Sequence, residues 1–192
     1  MVYFHGGTSI MIDENFWKKR YEKSWEMAST KEEKVKDIIE SECKCTCELA
    51  GLGAGKTDFL EGSAKSQGYE KGDSDIRVND TNIGVEVTGP NVDYVGKSAV
   101  LWVRPDKIEY AISHPEKDGW VVHVLKKDFY MRAIHLDESF IKDYQNKKFE
   151  IVHPRIKGVV ETYVEIPACS EHVTNIENLF DTINKAIKHK KS

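Results

Sequence analysis

Long hydrophobic runs are missing from this 192-residue chain. No stretch approaches the ~20 consecutive apolar residues that cross a bilayer as a helix. Met1 to Ile12 lacks the basic start, apolar stretch and small-residue cleavage site of a secretory leader. A soluble, cytoplasmic protein with no membrane association is therefore expected. Internal repeats and low-complexity tracts are also missing, so the chain has to be read element by element. Excess positive charge is lacking: 28 Lys and Arg stand against 32 Asp and Glu, a formal charge of -4. That balance argues against a surface that coats nucleic acid through uniformly basic character. His114, His123, His135, His153, His172 and His189 show no His-Glu-x-x-His or other paired ligand spacing.

What is present suits a single globular domain, with 40% hydrophobic and 10% aromatic residues to form a core. Charge is unevenly spread. Lys18, Lys19, Arg20 and Lys23 form one basic run and Lys185, Lys188, Lys190 and Lys191 another, while Glu32, Glu33, Asp37, Glu40 and Glu42 are acidic. Solvated faces are the simplest reading of all three, with nucleic-acid contact the functional one for the basic runs. Cys43, Cys45 and Cys47 would share one face of a strand. A thiolate metal site completed by Cys169 or a histidine is one reading. Structural zinc sites, however, favour two to four residues between paired cysteines, so small buried hydrophobes are the better reading.

Residues 1–30 read as an N-terminal extension whose segment Met11 to Ala28 is helical with an aromatic stripe, and residues 31–192 as one domain with its core over 31–125. Thr30 and Glu33 make a capping box for a helix to about Glu42 with Val35, Ile38 and Ile39 on its apolar face. A strand over Cys43 to Leu49 leads into the glycine-rich Gly51 to Gly55 and a long connection from Thr57 to Gly72. Ser74 to Val78 and Ile83 to Val87 form a hairpin around Asp80-Thr81-Asn82. Val100 to Val103 is a short strand or loop, Pro105 opens a helix to Ser113, and Trp120 to Leu125 is a buried strand with His123 as a satisfied core residue. Strands around Tyr130 to Leu136, Phe149 to Val152 and Val159 to Ile166 follow, with Tyr163 and Glu165 on a solvated face. A helix from about Glu171 to Lys188 closes an α+β domain with a mixed sheet.

The chemistry lies in the hairpin. Lys71-Gly72-Asp73-Ser74-Asp75 begins one strand, and Glu86 sits between Val85 and Val87 in its apolar partner. Two carboxylates on one sheet edge repel, and a hard divalent cation such as Mg²⁺ relieves the repulsion by taking oxygens from both. Such an ion lowers the pKa of a bound water and stabilises charge on a phosphate under attack. The plain alternative is that Asp75 starts a turn and Glu86 faces solvent from an edge strand.

The element order over Lys31 to Leu125, with Gly72-Asp73-Ser74-Asp75 ahead of Glu86-Val87-Thr88, resembles the PD-(D/E)XK nuclease superfamily. Ser74 replaces the proline of that pattern and Thr88 its lysine. The resemblance implies a restriction-endonuclease-like αβββαβ core with a helical N-terminal extension and C-terminal strands plus a helix. It also implies a metal-dependent nuclease in which Asp75 and Glu86 hold Mg²⁺ (or Mn²⁺), joined by the Val87 carbonyl and by an acid of the first helix, Glu33 or Glu40. Lys107 becomes the first candidate for the displaced catalytic lysine, with Lys97 and Arg104 behind it. Lys107 and Tyr110 lie where related nucleases carry a Gln-x-x-x-Tyr pair. The implied partner is nucleic acid, DNA ahead of RNA, and the implied assembly a homodimer. With threonine at 88, a nuclease-fold nucleic-acid-binding protein without catalysis stays open as the alternative.

Two other motifs compete. Ala50 to Thr57 (AGLGAGKT) fits a relaxed P-loop after a strand, with Ile134 to Glu138 offered as its acid strand, but Phe59-Leu60-Glu61-Gly62-Ser63 breaks the helix a P-loop needs. Phe4-His5-Gly6-Gly7-Thr8-Ser9 is similar to the His-Gly-Thr segment of ADP-ribosyl-transferring enzymes, and a flexible N-terminus is the simpler reading.

Overall fold

The computed structural model describes residues 30–49, 70, 72–90, 95–126, 129–156 and 158–190. The Met11 to Ala28 helix, the glycine-rich Ala50 to Thr57 segment, most of the connection after it and the Phe4 to Ser9 motif lie outside these residues.

Helix α1 (30–43) is followed by β1 (Cys47–Leu49), β2 (Ile76–Val78) and β3 (Ile83–Thr88). After β4 (Leu101–Val103) come α2 (Pro105–Ser113) and β5 (Asp118–Val124). The expected αβββαβ order is therefore present, with β4 interposed. β6 (Met131–His135), α3 (Glu138–Gln145), β7 (Glu150–Val152), β8 (Arg155–Ile156), β9 (Val159–Val160), β10 (Tyr163–Ile166), β11 (Val173–Asn175) and α4 (Ile176–Lys190) complete the fold. No described helix is long and apolar enough to cross a membrane.

Six strands form a mixed sheet in the order β1-β2-β3-β5-β6-β11. β3 and β5 run parallel because α2 carries the chain back across the sheet, while the other neighbours are antiparallel. A three-stranded sheet, β4-β10-β7, and the β8-β9 hairpin stand apart from it.

The large sheet has a core on each face. On one face, Val35 and Ile39 of α1 and Leu179 and Ile183 of α4 pack on Ile76, Val85 and Val122. On the other, Ile108 of α2, Phe140 of α3, Leu101 of β4 and Val164 of β10 pack on Val121 and Ile134.

Several boundaries depart from the sequence reading, each for a packing reason. Cys43 belongs to α1: with Val35 and Ile39 it forms an i, i+4, i+8 stripe, all buried, and Lys44 then ends the helix at φ 52. The three cysteines thus do not share a strand face. Cys43 and Cys47 are free thiols in the same core, pushed up by burial to about 11 and about 12, so they act as small hydrophobes. Residues 173–175, expected to be helical, instead cover the outer edge of β6. The expected Val159 to Ile166 strand divides between the β8-β9 hairpin and β10. Helix α3 was not anticipated at all. Its cue is Asp137, whose Oδ1 accepts the Phe140 amide at 2.8 Å as an N-cap, which also accounts for the acid once offered to a P-loop.

On the α2 face, His123 of β5 and Arg132 of β6 are buried neighbours, with Nη2 3.1 Å from His123 Nδ1. Arg132 Nη1 also reaches the carbonyls of Lys97 and Ala99 at 2.7 Å each, pinning the loop ahead of β4 to the main sheet. Burial, with the charges of Arg132 and Lys31, lowers His123 from 6.5 to about 3. The unfolded chain takes up a proton near 6.5 that the folded chain refuses until about 3. The His123 contribution is therefore full above pH 6.5 and lost as the pH falls from there toward 3. Urea denaturation of His123→Gln should lose stability less steeply over that interval than the wild type; equal slopes would contradict a neutral buried imidazole. Ile39→Ala, at a fully buried position, should cost about 2–5 kcal/mol in the same assay.

Candidate metal and catalytic site

The alternation of β3 sets the site. Ile83 and Val85 point into the α1 face, so Gly84, Glu86 and Thr88 present toward α2. Asp75 immediately precedes β2, which pairs with β3 at Ile76↔Val85. Its Oδ2 accepts the Val87 amide at 2.8 Å, holding the carboxylate at the end of the ladder beside Glu86. From the first turn of α2, Lys107 reaches down so that Nζ lies 2.6 Å from Glu86 Oε2, and it donates to the Asp73 carbonyl at 2.6 Å.

The structure therefore brings Asp75, Glu86 and Lys107 together, with Glu86 retaining 15% and Lys107 14% of side-chain exposure. In that dry setting, burial and then the Asp75 charge push Glu86 well above the usual carboxylate range, against the pull of Lys107. Burial works against the ammonium of Lys107, but Glu86 and Asp75 outweigh it and hold its pKa above the ordinary value. Two carboxylates share one ammonium, an excess of negative charge that a divalent cation would relieve. Glu86 Oε2 is sealed from solvent and, despite the nearby ammonium, receives no hydrogen bond of regular geometry. Two neighbouring carboxylates are a donor set that fits a hard cation such as Mg²⁺ or Mn²⁺.

Neighbouring residues fix this arrangement. Asp73 accepts the Ser74 amide at 2.8 Å and pairs with Arg77. Tyr110, pushed up by burial and by Asp73, stacks on His114 at 4.1 Å and 23°. At Gly72 (φ 93) a Cβ would stand 2.4 Å from the Asp106 carbonyl oxygen and 2.8 Å from Tyr110 Cβ, so only glycine lets this turn lie against α2. A cleft of about 70 Å³ opens between them, with Arg77, Glu86, Lys107 and Tyr110 among its walls.

The other sequence-derived candidates sit elsewhere. Glu33 is on the exposed side of α1, and Glu32 beside it is the buried acid. Glu40 is engaged by Lys36 at 2.8 Å and by the Cys47 amide at 2.7 Å, a structural role. Lys97 holds its ammonium 4.4 Å over the Tyr130 ring, and Arg104 is paired with Asp106 through two contacts of 3.1 Å. Sequence reasoning missed Asp143, Glu171 and His172, whose ligand atoms lie within 4.8 Å of one another. Asp143 stands on the unanticipated α3, far in sequence from His172, and it already pairs with Lys148 at 2.8 Å.

No protein-family model matches the sequence, and no curated protein matches it. Among solved structures, the chain is similar to a nuclease from a fusselovirus, at 10% sequence identity and a TM-score of 0.47, with 86% of this chain and 92% of the other covered.

Proposed function

We propose that the chain is a metal-dependent nuclease of the PD-(D/E)XK type, which hydrolyses phosphodiester bonds of nucleic acid. The observation that carries the reading is the convergence of Asp75, Glu86 and Lys107, the last two at the wall of one cleft. Asp75 and Glu86, with the Val87 carbonyl, would hold a Mg²⁺ or Mn²⁺ ion, which would supply Lewis acidity and an acidified water. The chain does the rest. Asp75 is oriented by the Val87 amide, and Glu86 is oriented by its place on β3. Lys107 is held by the Asp73 carbonyl and Glu86, so its ammonium would stand beside a phosphate bound at the acid pair. It takes the part of the lysine absent at Thr88. The exposure of Glu33 lends no support to a further ligand from α1.

A nuclease-fold binding protein without catalysis is the second reading, and Thr88 is the observation behind it. The P-loop reading draws no support from the sheet, where β3 and β5 alone run parallel among the described strands.

Wild-type protein should cleave DNA or RNA oligonucleotides only with Mg²⁺ or Mn²⁺, and Glu86→Ala should lower the rate at least about hundredfold. Cleavage untouched by Glu86→Ala would eliminate the site, whereas metal-dependent binding without cleavage would favour the second reading. Lys107→Met leaves Glu86 buried without its counter-charge and should cost about 3–5 kcal/mol in a denaturation assay. Much of that should return in the double variant with Glu86→Gln. Equal stability of the single and double variants would show the pair is not coupled.

A further inference from the structure

Trp102 and Tyr163 stand on the outer side of the small sheet, whose inner residues Leu101, Val103, Val164 and Ile166 are buried. Their rings stack with centroids 5.2 Å apart and planes 25° from parallel, and both side chains remain half-buried rather than covered. Each ring is tethered at its polar end: Trp102 Nε1 donates to Glu165 Oε2 at 2.9 Å, and the Tyr163 hydroxyl donates to Glu161 Oε2 at 2.5 Å. The tethers hold the rings in one arrangement, so little side-chain freedom remains to be lost on binding.

This platform adjoins the proposed site. Trp102 precedes Arg104 by two residues and Lys107 by five, a span of at most ~17 Å even if fully extended. Arg104 lies between: burial works against its charge, but Asp106 and, after it, Glu86 outweigh burial, so its guanidinium is within electrostatic reach of the acid pair. Its side chain is 56% exposed and held in a fork by Asp106. Cations on the α2 side and carboxylates on the platform side make the surface polarised. A phosphate belongs at Arg104 and Lys107, while Glu161 and Glu165 would repel one. Carboxylates suit instead the amino and ring N–H groups that an unpaired base exposes.

We propose that Trp102 and Tyr163 form a stacking subsite for an unpaired nucleobase next to the phosphate held at the acid pair, so that the substrate is single-stranded or carries a frayed end or flap. A base inside a duplex has both faces covered by its neighbours and cannot use such a platform; an unstacked base can. This rests on the nuclease reading and narrows its substrate class.

The test is binding of full-length protein to single-stranded DNA, single-stranded RNA and blunt duplex of the same sequence, with Ca²⁺ replacing Mg²⁺. Titrations would be followed by tryptophan fluorescence and by anisotropy of a labelled oligonucleotide. Wild type should bind one of the single strands more tightly than duplex and show tryptophan quenching. Trp102→Leu and Tyr163→Leu should each weaken that binding roughly tenfold, the scale of one base–aromatic stack, with little change for duplex. Trp102→Phe, which keeps a ring, should recover most of the loss; circular dichroism confirms that each variant is folded. Single-strand binding unchanged in Trp102→Leu, or a wild-type preference for duplex, would overturn the subsite. Metal-dependent cleavage that Glu86→Ala abolishes would then leave the nuclease reading standing. No binding to any nucleic acid would overturn both.

Discussion

The contact between Lys107 and Glu86 organises the molecule, because it crosses a boundary that apolar packing alone would leave without a fixed register. Glu86 belongs to the six-stranded sheet, and Lys107 to a helix fed by a strand of the other sheet. Apolar residues such as Ile108 and Val121 press α2 onto β5, but hydrophobic contact is non-directional and tolerates sliding. A buried ammonium facing a buried carboxylate does not: displaced by an ångström or two, each group is left in a low dielectric without compensation. The same pair is expensive to maintain. Burial, and after it the excess acid of Asp75, pushes Glu86 toward the neutral form, which is the local conflict expected at a site shaped for a ligand rather than for stability.

Two smaller devices hold the helix end over that contact. Gly72 lets the turn ahead of β2 touch the first turn of α2, and Lys107 donates to the carbonyl of Asp73 in that turn. On the far side, Arg132 grips two carbonyls of the loop that leads into β4, so the segment carrying Arg104 and Lys107 is anchored before and after the short strand. The site is thus supported from two backbone stretches, the turn at Gly72 and Asp73 and the loop at Lys97 to Ala99.

Legibility in the sequence followed the range of the interactions. Local signals were readable: the Val35 and Ile39 stripe, the turn around Asp80, Pro105 at the start of α2 and the isolated acid in the apolar β3 all mark features that the structure contains. The convergence of Asp75 and Glu86 was suggested by the hairpin, and that of Lys107 only by the family resemblance, in which the lysine can sit on the following helix. What escaped depended on distant partners. Cys43 reads as strand until α1 is seen to need one more buried residue, and 173–175 read as helix until the open edge of β6 is known. Tyr163 and Glu165 read as a solvated face because Trp102, which gives that face its chemistry, is some sixty residues earlier and pairs with it only through the register of β4 and β10.

Thr88 is the departure from the nuclease pattern that most needs a physical reason, and its neighbours in the sheet supply one. Across the strands it lies opposite His123, which lies opposite Arg132, so the row beside the acid pair already ends in a buried guanidinium. Lys31 of α1 approaches from the end of β3, donating to the carbonyls of Gly89 and Pro90, and burial with the Lys126 charge lowers it to about 8. Burial, and after it the neighbouring cations, shifts both His123 and Lys31 in the direction that removes positive charge. The α2 side is the opposite case. There Glu86 and Asp75 outweigh burial and raise the pKa of Lys107, so an ammonium entering from the helix is held charged. On the nuclease reading proposed above, Lys107 stands beside the carboxylates, and Thr88 stands in a strand row that ends in the Arg132 guanidinium.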